Sequence, residues 1–322
     1  MGLYIKEKPH HQILDREMVI KQVSENFKDQ IDLLEDLVNY GTNLLIRALP
    51  TQNVEFEDSV VLAVLFKHAI TLLDSVHILV TNGAVLSAHI PARCLFEIML
   101  YIEWILKADT IVRSKRYLVD YYLQHLREAK YFQNRFTNDI DFANSFKSAS
   151  KKISIDFDKL EEITSESISN LESVINSDDF RVVTKEFMEQ KKKKGRRISW
   201  YELDGPSNIF ELSKKLNRDI DYFIHYRHLS RIIHGMVQDQ HIDIQNSAFL
   251  LTPVRNLSSI DKLITSVVHF ALTIYAIIVT YYRHDEKNNF AEKYNQKWRE
   301  RFAIIKEVQY LNSVSYLSKN VV

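Results

Sequence analysis

Apolar residues return every three or four positions through most of the chain, and this spacing predicts helix after helix. Arg16 to Leu49 reads as one long amphipathic helix closed by Pro50, and a second helix runs from about Glu55 to Val80, stopped by Asn82-Gly83. A third carries Leu86 to Ala108, with Pro91 near its first turn or kinking it. Thr110 to Phe136 alternates tyrosines and charges in a way that suits a half-exposed helix. Between Thr137 and Gln190 small polar residues and acids dominate. There Phe157, Leu160, Ile163, Ile168, Leu171 and Val174 share one helical face, as in an inserted arm. The arm ends in the run Lys191-Lys192-Lys193-Lys194-Gly195-Arg196-Arg197.

Beyond the basic run, Trp200 and Gly205-Pro206-Ser207 lead into a short helix, Asn208 to Leu216, with Ser207 as its N-cap. The next helix spans Asp219 to Met236. A polar loop follows to Thr252, then an apolar helix from Pro253, then a charged helix through Trp298 to about Leu317. No stretch alternates with period two long enough to predict a sheet. The expected fold is all-α, a multi-helix bundle interrupted by the arm. Its divisions are an N-terminal helix (1–54), a first core segment (55–136), the arm and basic loop (137–199), a second core segment (200–285) and a C-terminal helix (286–322).

Composition narrows this picture. Six glycines and five prolines in 322 residues leave few breaks, as long helices require. Lysine plus arginine equals aspartate plus glutamate, at 42 each, so a nucleic-acid partner must be held by a local patch and not by a global field. The single cysteine, Cys94, excludes an internal disulfide framework and suits a reducing, cytoplasmic setting. Met1 to Gln12 has no apolar run of the kind a secretory leader needs. Leu263 to Tyr282 carries no formal charge and approaches the length of a membrane span. Its threonines, Ser266 and His269 favour a buried central helix, so no membrane partner is expected.

Chemistry concentrates between Tyr226 and Gly235. On a helix Arg227 and His234, two turns apart, share one face with Ser230 and Arg231 between them. An arginine offers permanently charged donors to phosphoryl oxygens, and a histidine near its ordinary pKa moves protons at neutral pH. In RNA the ribose 2′-OH is an internal nucleophile, so the pair suits phosphodiester cleavage without a metal. Arg93 and Glu97, an i,i+4 pair, are expected either to flank Arg227 and His234 or to pin two helices together. Lys192, Lys193, Lys194, Arg196 and Arg197 form a candidate RNA-backbone patch, with Trp200 and Tyr201 available for stacking; the alternative is a solvated connecting loop. Neither the set His234, Asp239, His241 and Asp243 nor Asp221 with His225 matches a defined ligand spacing, so no metal or other cofactor is expected. Gly-rich phosphate loops, a Gly-x-Ser-x-Gly elbow and His-Glu-x-x-His are absent.

Arg227-x6-His234, with His228 directly after the arginine, resembles the motif of HEPN domains (higher eukaryotes and prokaryotes nucleotide-binding). The ordered set Ala92-Arg93-Cys94-Leu95-Phe96-Glu97, then Trp200 with Ile209-Phe210-Glu211-Leu212, then Tyr226-Arg227-x-Leu229-Ser230-x-x-x-His234-Gly235 resembles more closely a bacterial HEPN-like family. The resemblance covers about 60–282, without 137–197. It implies a helical bundle that dimerises and joins two Arg/His motifs in one cleft. It further implies a metal-independent endoribonuclease with toxin-like or antiphage roles, restrained by a regulatory or antitoxin protein. Arg227 and His234 would be catalytic, with His228, Ser230, Arg93 and Glu97 supporting. The alternative is a non-catalytic helical module that binds a nucleotide or a protein partner.

Overall fold

A computed structural model describes residues 8–48, 56–152, 156–233, 241–245 and 248–302. The fold is all-α, a multi-helix bundle, and the chain divides into two compact units. The first comprises residues 1–55, 62–107 and 213–322, and the second comprises 56–61 and 108–212. The helix from Thr110 therefore groups with the arm and not with the core segment in which the sequence reading placed it.

In the first unit, α1 (Arg16–Asn26) and α2 (Lys28–Ala48) replace the single helix expected there. The break has a local cause. Ser24 Oγ and Asn26 Nδ2 donate to the carbonyls of Lys21 and Gln22, competing with the helical ladder, and Phe27 leaves helical geometry at φ −128°. Helix α3 (Phe56–Thr81) ends where Asn82-Gly83 predicts. Gly83 has φ +69°, its N–H donates to Val80 O, and the Ala84 N–H reaches back to Leu79 O, a Schellman closure. A side chain at Gly83 would collide with Val19 Cγ1.

Helix α4 (Val85–Leu106) holds Pro91 inside it, and the apolar helix Ile260–Tyr282 packs along it. Phe96 of α4 meets Phe270 at 5.2 Å between ring centroids. Each such fully buried apolar side chain contributes about 1.5–3 kcal/mol. After α9 (Ile209–Lys215), residues 219–233 run on as one helix in three parts: α10 (Asp219–Asp221), a π turn (Tyr222–Tyr226) and α11 (Arg227–Ile233). The Arg227 N–H donates to Tyr222 O, five residues back, which widens the turn there.

The expected polar loop contains two short strands, β1 (Ile242–Gln245) and β2 (Ala248–Leu251), paired antiparallel with Ile242 opposite Leu251. Four residues is the shortest run in which alternation is legible, and Ala248–Leu251 does not alternate. Helix α12 (Ile260–Tyr282) starts later than Pro253 predicts, because Asn256 Oδ1 accepts the Ser258 N–H in a side-chain turn. Among the described residues, three helices are long and apolar enough to cross a membrane, Ser59–Thr81, Val85–Leu106 and Ile260–Tyr282; 72% of the apolar window in the last is buried inside the fold. Helix α13 (Lys287–Lys293) and a π turn (Tyr294–Trp298) follow, and Trp298 is buried against Tyr40.

In the second unit, α5 (Thr110–Asn138), α6 (Ile140–Lys152), α7 (Phe157–Asn176) and α8 (Arg181–Lys194) make the arm. Its core is Leu126, Ile168 and Ile175, with Leu171 against them, while Ile163 is exposed. The expected face is thus used only in part. Arg116 of α5 pairs with Glu186 and Asp204, and Arg113 donates to Asp204 at 2.8 Å. Asn208 and not Ser207 caps α9: its Oδ1 accepts the Glu211 N–H at 3.0 Å.

Candidate functional site

The site is built where α4 meets the bulged helix. Tyr226, at the end of the π turn, is buried between two charged side chains of α4. Its hydroxyl donates to Glu97 Oε1 at 2.7 Å and accepts from Arg93 Nε at 3.1 Å and Nη2 at 3.0 Å. Arg93 and Glu97 also pair with each other at 3.3 Å. The i,i+4 spacing on α4 places both ends of this clasp on one face, and the phenol satisfies them together. Phe96 packs on the same ring at 5.0 Å. Burial, reinforced by the Glu97 carboxylate, pushes the Tyr226 hydroxyl far above its ordinary range, so it stays protonated and holds the clasp at every physiological pH. Arg93 and Glu97 therefore flank Tyr226, not Arg227 as one of the two expectations had it. Through Tyr226 they join α4 to the bulged helix. Cys94 beside them is half-buried, and burial raises its thiol further from reactivity.

Arg227 turns outward. Its side chain is exposed, 5.9 Å over the Phe223 ring, and makes no ion pair among the described residues. Next to it on the exposed surface of this helix stand Ile220, Phe223 and Ile224, between 51% and 66% exposed. One residue along, His228 turns the other way. It lines a cavity of about 310 Å³ together with His89, His225, Lys262 and Ser266. Ser230 is half-buried on α11. His234 lies outside the described residues.

His89 is the most constrained group in this cavity. It is 1% exposed, and its Nδ1 sits 2.8 Å from Val85 O. A carbonyl only accepts, so Nδ1 carries the proton and Nε2 the lone pair. Nε2 is buried with no hydrogen-bond partner among the described residues. Burial, with a smaller contribution from His228, depresses the His89 pKa to about 4. The His89 and His228 rings meet edge to face at 5.8 Å. The cavity thus holds a neutral imidazole base beside a second imidazole.

Residues 59–248 match a family of unknown function, DUF5677. The match covers more than half of the chain. The chain belongs to that family. No curated protein and no solved structure matches. The DUF5677 segment contains the whole clasp, the π turn, Arg227 and His234.

The basic run of this DUF5677 chain is only partly available to a ligand. Lys191 to Lys194 form the last turn of α8, closed by Gly195 at φ +64°, and Arg196 and Arg197 follow in the connecting segment. Lys194 and Arg196 pair with Glu202 at 2.9 and 2.7 Å, and Glu202 is 8% exposed. Burial alone would raise that carboxyl, but Arg196, the Ser199 N–H and Lys194 outweigh it and hold it below its usual range. Arg197 is 3.6 Å from Asp120 and donates to Gln124 at 2.6 Å. Lys192 and Lys193 remain exposed, with no ion pair among the described residues. Trp200 and Tyr201 are buried, at 4% and 7% exposure, so the expected stacking role fails: both rings belong to the unit's interior. A cavity of about 460 Å³ in the same unit joins Leu123, Leu126 and Phe187 to Arg127, Lys130 and Lys191.

Proposed function

We propose that this chain is a cytoplasmic, HEPN-type endoribonuclease that cleaves RNA by attack of a ribose 2′-OH and works as a homodimer in a toxin-like or antiphage role. The observation that carries the reading is the divergence of Arg227 and His228 on a helix locked by the Tyr226 clasp. A permanent cation with no carboxylate partner among the described residues faces solvent, and the next residue lines a cavity that also holds His89 and His225. Arg227 would stabilise charge on the phosphorane, and His234 would transfer the proton, with His228 and Ser230 in support. The clasp supplies the rigidity that such positioning requires. The apolar residues beside Arg227, namely Ile220, Phe223 and Ile224, are the surface through which a second copy would bring its own arginine into a shared cleft.

Purified protein, Arg227→Ala and His234→Ala are incubated with total RNA in EDTA. Cleavage by the wild type alone, leaving 2′,3′-cyclic phosphate ends, is the expected result. Equal cleavage by all three, or by none across a panel of RNAs, refutes the proposal. Phe223→Glu should shift the protein toward monomer in light scattering and lower cleavage with it.

The second reading, a non-catalytic module that binds a nucleotide or a protein partner, is favoured by the cavity lined by Arg127, Lys130 and Lys191 over an apolar floor. Nucleotide binding that survives Arg227→Ala and His234→Ala, with no RNA cleavage, selects it.

A further inference from the structure

Asp221 and His225 face each other across the start of the π turn, and α12 adds a group that the sequence spacing does not reveal, His269. The potential ligand atoms of the three lie within 4.8 Å of one another, and all three side chains are half-buried. His269 Nε2 is 3.1 Å from Asp221 Oδ1. This nitrogen is shielded from solvent. A separation of this size also matches the edge between two donors of one coordination sphere, in which bonds of about 2.0–2.2 Å place neighbouring ligands roughly 3 Å apart.

The surroundings prepare the other two groups in the same sense. Ser266 Oγ donates its proton to Lys262 O at 2.8 Å, so at 2.7 Å it can only accept from His225 Nδ1. That fixes His225 as the Nδ1–H tautomer and puts the ring's lone pair on Nε2, the arrangement of a ligating histidine supported from behind. Asp221 Oδ2 is oriented by Arg218 Nη1 at 3.4 Å, and Arg218 is itself held by Glu103 at 3.0 Å. With neutral imidazoles, Asp221, Glu103 and Arg218 leave one negative charge around the site. The two histidine rings are stacked, with centroids 5.5 Å apart and planes at 29°.

We infer that Asp221, His225 and His269 form a binding site for a divalent first-row transition metal of the zinc type, with at least one coordination position left for water. Two imidazoles and one carboxylate are the donor set of such sites, whereas calcium and magnesium prefer oxygen throughout. The ion would tie the π turn to α12, and His225 also lines the cavity that holds His89 and His228. The site is independent of the ribonuclease reading, whose assay runs in EDTA.

The full-length protein is stripped with EDTA, exchanged into chelator-free buffer and titrated with Zn²⁺ by calorimetry and with Co²⁺ by visible absorption. One tight Zn²⁺ per chain and Co²⁺ d–d bands are expected in the wild type. His269→Gln and His225→Ala should each weaken that site about 100-fold or more, and Ser266→Ala about 10-fold, as loss of a supporting hydrogen bond does. Circular dichroism in EDTA checks that the variants fold. Should a variant fail to fold, the wild-type stoichiometry and Co²⁺ spectrum decide alone. Absence of a tight site in the wild type, or a site that His269→Gln leaves unchanged, overturns the inference. The latter outcome would assign the ion to other histidines, such as the exposed pair His10 and His11.

Discussion

Acidification should destabilise this protein through one residue, His89. In the unfolded chain its imidazole takes a proton near pH 6.5, but in the fold it does so only near 4. The folded pKa of a base is depressed here, so the unfolded state binds the proton first. Stability is complete above pH 6.5 and falls as the pH drops from there toward 4. At pH 5 the loss from this residue works out at about 2 kcal/mol, and it approaches roughly 3 kcal/mol at pH 4. His225, His228 and Lys262 share the cavity and are the same in both proteins compared below, so a difference measurement isolates His89. His89→Gln keeps a donor for Val85 O and removes the titration. Urea unfolding followed by circular dichroism, at several values between about pH 7.5 and 5, should show the wild type losing about 2 kcal/mol more than the variant. Parallel pH dependences for the two proteins would mean that His89 accepts its proton in the fold as easily as outside it, and the account of a dry, neutral base would be refuted.

Tyr226→Phe removes the phenol from the Arg93–Glu97 clasp and should cost about 1.5–3 kcal/mol in thermal or urea unfolding, the range for hydrogen bonds to charged groups; a loss under about 0.5 kcal/mol refutes the clasp. Gly41→Ala places a Cβ into Tyr275 Oη and within 3.1 Å of Ile70 Cγ1. Overpacking of about 1–3 kcal/mol should exceed what alanine contributes as a helix former. Tyr275→Phe, which removes the colliding oxygen, should recover part of that loss in a double-mutant cycle, and strict additivity of the two changes counts against the close approach. If RNA binds as proposed, Lys192→Ala with Lys193→Ala should lower affinity in filter binding and reduce the slope of log affinity against log salt by about 1.4, as two phosphate contacts on a single strand imply. An unchanged slope removes those lysines from the interface.

Much of the fold was legible because helix formation and termination are local. The stop at Asn82-Gly83, the extents of α3 to α5 and the all-α class follow from apolar spacing and a shortage of glycine and proline. The division between α1 and α2 was hidden, because Ser24 and Asn26 compete for carbonyls within a pattern that still reads as continuous. The caps and strands near the polar loops were hidden for a similar reason: their signals span four residues or fewer.

For the site, sequence by itself determined which groups are available: the arginine and histidines of the motif helix, Arg93 and Glu97 four residues apart, and a basic run. Only the tertiary structure decided what each one faces. A π turn rotates the helix so that Tyr226 and not Arg227 enters the clasp. The buried Glu202 takes up Lys194 and Arg196, leaving Lys191, Lys192 and Lys193 exposed with no ion pair among the described residues. His269 joins Asp221 and His225 from a helix distant in sequence. Spacing along a chain fixes direction within one regular helix, but contacts between helices depend on packing that no local pattern encodes.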